Sequence, residues 1–134
     1  MTLPVSSTEG PSRARILIVE DEPMIAFTLE ELLVIAGFDI AGVAGRLPAA
    51  LEFIAAGGCD AAILDANLAG TSSAPAAVAL TALGIPFIVV SGYSAAQHQE
   101  TAFAGAPRLQ KPCDIDQLVA VLHVLVKAPV TTTN

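Results

Sequence analysis

Four groups of polar residues follow apolar stretches of this chain, and their types suit phosphoryl transfer. Glu20 and Asp21 end the first of these stretches, and Asp65 ends a second. Ser91 places a hydroxyl after a third stretch, and Lys111 places an ammonium after a fourth. An acid pair, a further acid, a hydroxyl and a cation are what a carboxylate needs to bind a divalent metal ion and accept a phosphoryl group.

A bound cation explains the acids better than helix capping does. By itself, Asp21 would most simply cap a helix beginning at Pro23, because acids in a first turn favour the helix dipole. Once Asp65 joins it, two carboxylates about 4 Å apart repel by roughly 4 kcal/mol at an effective dielectric of about 20. Oxygen ligands of this kind suit Mg²⁺. We predict that Mg²⁺ binds through Asp21, Asp65 and the backbone carbonyl of Asn67, with Glu20 acting mainly through water.

Asp65 is the candidate phosphoryl acceptor at this predicted site. Carboxylates form aspartyl-phosphate intermediates when a metal ion neutralises the phosphoryl oxygens and holds attacker and donor in line. Lys111 supplies a point charge for a phosphate oxygen. Ser91 supplies a hydroxyl that would bond the phosphoryl group once it is attached.

The elements that must position these residues alternate between strand and helix. Apolar runs predict strands at residues 16–19, 40–44, 61–64, 87–90 and 108–110. Helices are predicted at residues 23–36, 47–56, 73–83, 95–104 and 115–127, the last with Asp114 as its N-cap. This alternation predicts an α/β flavodoxin-like (βα)5 three-layer sandwich with a parallel five-stranded sheet of order 2-1-3-4-5. Ligands in such sheets lie at the carboxyl ends of the strands.

Length and composition favour one domain with a real core. The chain has 134 residues, and we predict a flexible leader over residues 1–13, a domain over 14–128 and a tail over 129–134. A net charge of −7 with scattered Lys and Arg argues against nucleic-acid binding. No apolar run is long enough to span a membrane, and no secretory signal is apparent. We therefore expect a cytoplasmic protein with reduced cysteines.

The motifs as a set resemble the receiver domain of bacterial two-component response regulators, from about Arg15 to Lys127. The match rests on an acidic pocket, a phosphoacceptor, a switch hydroxyl with its glycine, and a lysine–proline pair: Glu20 and Asp21, Asp65, Ser91 and Gly92, and Lys111 and Pro112. Residues 64–70 and 86–93 are similar to a subclass whose fourth strand ends Phe-Ala-Thr-Gly-Tyr. That resemblance implies a single-domain receiver paired with a sensor histidine kinase of the HWE type.

The chain also departs from the usual receiver pattern. Receivers carry an aromatic residue three positions before the lysine, where this chain has Arg108. Tyr93 is the candidate to replace it as the switch aromatic. Residues 94–106 lack a clean apolar stripe. Because burying an unpaired charge is costly, we predict that Arg108 stays at the surface and that Tyr93 and residues 94–106 change on phosphorylation.

The resemblance implies a stand-alone receiver that takes a phosphoryl group from a kinase phosphohistidine onto Asp65 with Mg²⁺. It would then signal by contact with a downstream protein or drain phosphate from a kinase, as a monomer or weak dimer. We expect no enzymatic activity beyond Mg²⁺-dependent self-phosphorylation and slow autodephosphorylation. The alternatives are a phosphorylation-independent receiver-like binding module, a flavodoxin-like cofactor protein and a phosphotransfer hydrolase. The acidic run after the first strand argues against a flavodoxin-like cofactor protein. A phosphotransfer hydrolase would need a second domain to cap its substrate.

Overall fold

A parallel sheet with helices on both faces forms the centre of the structure, a computed structural model that describes residues 13–92 and 101–127. The strands are β1 (Arg15–Val19), β2 (Asp39–Ala44), β3 (Ala61–Asp65), β4 (Asn67–Leu68), β5 (Thr71–Ser72), β6 (Phe87–Ser91) and β7 (Arg108–Gln110). The helices are α1 (Pro23–Ile35), α2 (Leu47–Ala56), α3 (Ala74–Ala82) and α4 (Ile115–Lys127). Tyr93, most of the predicted leader and the predicted tail lie outside the described residues.

The strand order confirms the predicted fold. The sheet runs β2-β1-β3-β6-β7, and every neighbouring pair of strands is parallel. The predicted fourth and fifth strands correspond to β6 and β7, because the small β4–β5 hairpin intervenes in the chain. The order is therefore the predicted 2-1-3-4-5 of the flavodoxin-like fold.

Alternation along the strands divides the core into two layers. In β1, Ile16 and Ile18 pack on the same face as Leu33 of α1 and Leu118 of α4. Leu17 and Val19 point the other way, toward a layer that includes Ile54 of α2 and Leu80 of α3. Successive strand side chains project to opposite faces, so an uninterrupted apolar run serves both layers.

Helix starts follow from the local sequence. Pro23, Pro48 and Pro75 lie in the first turns of α1, α2 and α3, where the missing N–H has no intrahelical acceptor. The predicted N-cap of α4 is confirmed, because Asp114 Oδ1 accepts a hydrogen bond of 3.0 Å from the N–H of Asp116. Within the described ranges, no helix has the length and apolar character needed to cross a membrane.

The helix predicted at residues 95–104 is wrong over its described end. Thr101–Phe103 form a 3₁₀ helix, and i→i+3 bonds continue from Ala104 to Thr101 and from Ala106 to Phe103. Gly105 has φ of 85°, and β7 begins soon afterwards. A 3₁₀ helix is common in short pieces of this kind that connect other elements.

The β4–β5 hairpin was not predicted, and it directly follows the candidate phosphoacceptor. Its two central residues, Ala69 and Gly70, have φ of 53° and 95°. Positive φ at both positions is the signature of the tight turns that suit hairpins. Ala rarely adopts this conformation, so the sequence carries only half of the usual Asn-Gly or Asp-Gly signal.

Candidate functional site

Four strand ends bring the predicted site residues to one edge of the sheet. Asp65 is the last residue of β3 and is paired in register with Val90 of β6. Glu20 follows β1, and its N–H donates 2.9 Å to the carbonyl of Ala44 at the end of β2. Lys111 follows β7, and its N–H donates 2.8 Å to the carbonyl of Ser91. Parallel strands place all their carboxyl ends at the same edge, so the predicted convergence occurs.

Three carboxylates form a cluster at this edge. One oxygen from each of Glu20, Asp21 and Asp65 lies within 4.8 Å of the others. Glu20 and Asp65 each expose only 5% of their surface, whereas Asp21 is half-buried. Glu20 is held in place by its Oε2, which accepts a hydrogen bond of 3.0 Å from the N–H of Glu22. Such proximity of buried acids is unfavourable unless cations lie nearby.

Lys111 supplies one of those cations. Its Nζ lies 2.9 Å from Asp65 Oδ2 and 3.2 Å from Glu20 Oε1. The ammonium therefore bridges the acceptor and one acid of the pair. This contact agrees with the predicted placement of Lys111, and its role toward a phosphate oxygen stays a prediction.

Burial and mutual repulsion shift the protonation of the cluster. Burial raises the pKa of Asp65 above its usual range, although hydrogen bonds from Lys111 and the Asn67 N–H oppose the shift. Burial likewise raises the pKa of Glu20, and the charge of Asp65 adds to the effect. For Lys111, burial lowers the pKa, but the hydrogen bond and charge of Asp65 and the charge of Glu20 outweigh it and raise the pKa. The carboxylates thus favour protons or cations, and the ammonium stays charged.

Asn67 takes part in the site through its backbone and side chain. Its N–H donates 3.2 Å to Asp65 Oδ1, so each oxygen of Asp65 accepts one bond, from Asn67 or from Lys111. The side-chain Oδ1 of Asn67 accepts 2.7 Å from the N–H of Gly70 and fixes the β4–β5 turn. The predicted metal contact of its carbonyl stays a prediction.

The hydroxyl and its glycine lie where expected at the end of β6. Ser91 is 2% exposed, and the adjacent Gly92 is exposed. A Cβ at Gly92 would lie 4.0 Å from Lys111 Cδ, so the turn passes close to the lysine stem. Tyr93, the candidate switch aromatic, lies outside the described residues, and its role stays a prediction.

The charges of the cluster fit a divalent cation. Glu20, Asp21 and Asp65 together with Lys111 carry three negative charges and one positive charge when all are ionised. The remaining two negative charges match one divalent ion, and the donors are all oxygens, as Mg²⁺ prefers. The residues present therefore fit the predicted metal.

Arg108 differs from its sequence-based prediction. It was expected to stay at the surface, but it is half-buried, and its guanidinium carbon lies 5.9 Å from the centre of the Phe103 ring. Phe103 itself is only 1% exposed. An aromatic face can offset the cost of partly burying a guanidinium. Phe103 was not predicted to be important, and its only signal in the sequence is that it is a single aromatic residue in an otherwise Ala-rich segment.

Comparison with known proteins identifies the family. The model of the response regulator receiver domain matches residues 16–123. The chain belongs to this family. The receiver resemblance found in the sequence is therefore confirmed, and receiver domains generally bind Mg²⁺ at an acidic site and interact with histidine kinases and downstream proteins.

Individual relatives agree with the family assignment. The transcriptional regulatory protein PdtaR of Mycobacterium tuberculosis is 31% identical over 129 residues, which cover 94% of this chain and 63% of PdtaR. The chain thus spans less than two thirds of this curated relative. SdrG from Sphingomonas melonis Fr1 is 41% identical in sequence, and its solution structure superposes with a TM-score of 0.73. The match covers 85% of this receiver and 97% of SdrG. The receiver domain of PhyR from Erythrobacter litoralis is 26% identical with a TM-score of 0.76, covering 96% and 99%.

Proposed function

We propose that this receiver accepts a phosphoryl group on Asp65 from the phosphohistidine of a sensor histidine kinase. The observation that carries the proposal is the Asp65 carboxylate, whose two oxygens accept bonds from Lys111 and from the Asn67 N–H. Both donors can shift to phosphoryl oxygens after transfer. A carboxylate that only stabilised the fold would gain nothing from lying beside two other acids.

The transfer balances without a proton from the receiver. An oxygen of Asp65 forms the new bond to phosphorus while the bond from phosphorus to the imidazole nitrogen breaks. The imidazole, protonated at its other nitrogen, leaves as a neutral group. Lys111 stabilises the charge on the phosphoryl oxygens, and Ser91, next to Gly92, donates its hydroxyl to the attached group.

Asp21, Asp65 and the Asn67 carbonyl would hold Mg²⁺, with Glu20 acting mainly through water. The bound ion would neutralise charge on the phosphoryl oxygens. Activity beyond this self-phosphorylation and a slow autodephosphorylation is not part of the proposal. The output is a protein contact or the removal of phosphate from a kinase, and the net charge of −7 favours protein over nucleic acid as the partner.

The kinase would be of the HWE type. The support is the likeness of residues 64–70 and 86–93 to the receiver subclass with a Phe-Ala-Thr-Gly-Tyr strand end. A phosphotransfer assay with purified kinases of this and other types tests the pairing. Faster labelling by kinases of other types would contradict it.

Intact mass after incubation with a small phosphodonor and Mg²⁺ tests the acceptor. Wild type should gain one phosphoryl group, and Asp65→Asn should gain none. Asp116→Asn is the matched control, because it makes the same change at an exposed position on α4. Full labelling of Asp65→Asn would show that the acceptor is another residue.

A further inference from the structure

A cavity of about 420 Å³ lies beside the acidic cluster, between the β2–α2 corner and the β4–β5 hairpin. Asp21 belongs to both the cluster and the cavity wall. The corner packs against the acidic segment, since a Cβ at Gly45 would lie 3.6 Å from the carbonyl oxygen of Glu20. The wall includes two charged, three apolar and one hydroxyl-bearing residue: Asp21, Arg46, Leu47, Pro48, Leu68 and Thr71.

The hairpin wall of this cavity is well fixed. Leu68 is buried in the core cluster beneath the sheet edge. The turn is closed by the 2.7 Å hydrogen bond from the Gly70 N–H to Asn67 Oδ1. A wall held by packing and by a hydrogen bond does not have to be ordered when a ligand enters, which favours binding.

Arg46 is the cationic residue in the wall of this cavity, and its guanidinium forms no ion pair within the described residues. Lys111, the other cation at this edge, is already shared by Asp65 and Glu20. Within residues 13–92 and 101–127, the side chain of Arg46 makes no hydrogen bond or ion pair, and only its backbone carbonyl accepts a bond, from the N–H of Ala50. Its side chain is exposed and lies against the cavity next to the apolar surface of Leu47 and Pro48.

We propose that this cavity is a subsite for small acyl phosphate donors, in which Arg46 binds a carboxylate carried by the leaving group. The proposal rests on the proposed function, because it takes Asp65 as the acceptor, but it concerns a small-molecule donor rather than the kinase phosphohistidine. Leu47, Pro48 and Leu68 offer apolar surface to the body of the leaving group. A guanidinium binds a carboxylate through two parallel hydrogen bonds, so Arg46 would select donors with that group.

Two synthetic aryl phosphodonors that differ only in one carboxylate isolate the contribution of that group to binding. Benzoyl phosphate carries a flat apolar ring, and 4-carboxybenzoyl phosphate adds one carboxylate to it. With either donor, an oxygen of Asp65 bonds to phosphorus while the bond from phosphorus to the aryl carboxylate oxygen breaks. The aryl carboxylate leaves as an anion, so the step needs no proton or other reactant.

The measurement is the initial rate of Asp65 phosphorylation against donor concentration, with Mg²⁺ present. For wild type, 4-carboxybenzoyl phosphate should half-saturate at about a three-fold lower concentration than benzoyl phosphate, as expected for one exposed ion pair. Arg46→Ala should remove this difference, and Arg46→Lys should restore part of it. Arg13→Ala is the matched control, because it removes an exposed arginine paired with Asp39 away from this edge.

Salt gives a readout that a purely structural role would not move. At 1 M NaCl the Debye length is about 3 Å, so the preference of wild type should shrink toward that of Arg46→Ala. Equal half-saturation by the two donors in wild type, or a preference kept by Arg46→Ala, would overturn the subsite alone. No labelling of Asp65 by either donor would overturn the proposed function and the subsite with it.

Discussion

Replacing Asp65 with Asn should stabilise the protein in the absence of divalent metal. Most substitutions of a buried residue destabilise, so the expected sign is unusual. Asn keeps the shape of the side chain and an oxygen that can accept the Asn67 N–H. It removes one charge from the cluster of Glu20, Asp21 and Asp65.

The magnitude follows from the distances around Asp65. Lys111 lies 2.9 Å away, which is worth about 6 kcal/mol of attraction at an effective dielectric of about 20. Glu20 and Asp21 each place an oxygen within 4.8 Å, and each repels Asp65 by about 3.5 kcal/mol or more on the same scale. Repulsion exceeds attraction by about 1 kcal/mol, and desolvation of the buried charge adds to it. We expect Asp65→Asn to raise the free energy of unfolding by about 1 kcal/mol and the melting temperature by about 4 °C.

Thermal melts in EDTA measure this effect, with Glu52→Gln as the control for removing an exposed carboxylate. The pKa values of Glu20 and Asp65 are raised by burial, so the folded state binds their protons more tightly than the unfolded state. Stability is therefore lost as pH rises through those folded-state pKa values. Acidification from neutral pH toward them should raise the melting temperature of wild type and narrow its gap to Asp65→Asn.

A melting temperature of Asp65→Asn below that of wild type, in EDTA at neutral pH, would refute the expected stabilisation. That result would mean that the Lys111 ion pair outweighs the repulsion within the cluster. An effect equal to that of Glu52→Gln would mean that net charge, rather than the cluster, controls stability. A gap that widens on acidification would contradict the direction of the pKa shifts.

Three further outcomes are expected. Millimolar Mg²⁺ should raise the melting temperature of wild type by binding only the folded state, and Asp21→Ala should lose most of that gain while Asp116→Ala keeps it; equal gains would count against the site. Lys111→Met should lower the free energy of unfolding by about 3 kcal/mol or more, as measured by urea titration in EDTA, because it leaves buried carboxylates without their counter-ion. An unchanged urea midpoint would refute this. On addition of a phosphate mimic, amide exchange should slow mainly between Tyr93 and Ala106; a change confined to Arg108 and its strand would contradict that switch.

The sheet and the site edge were predictable because each strand end carries its own local signal. A buried parallel strand is a short apolar run, and the residue that ends it is polar only where the chain reaches the ligand edge. Asp65 and Ser91 each end such a run, whereas Lys111 follows the short strand β7, in which only Leu109 is buried; their convergence then needed only the strand order. That order follows from the alternation of strands and helices.

The missed features depend on side-chain contacts between residues a few positions apart. The turn at Ala69 adopts positive φ because the Asn67 side chain closes it, and propensity alone disfavours Ala there. The half-buried Arg108 lies over the ring of Phe103, a pairing that no periodic pattern in the sequence encodes. Specific side-chain contacts overrode the general preference of the residue type at both places.

The hydrogen bonds around Ser91 indicate where a phosphorylation signal should travel. Under the proposed function, transfer would replace the single charge of Asp65 with a phosphoryl group of about two charges, which would attract Lys111 Nζ and the Ser91 hydroxyl. The backbone of Lys111 is bonded to the Ser91 carbonyl, so the ends of β6 and β7 are held together and resist separation. A displacement of the Ser91 side chain should therefore pass into the chain that follows it. That chain leads to Phe103, which is buried and covered by Arg108, so this contact is the place where the change should meet the packed core.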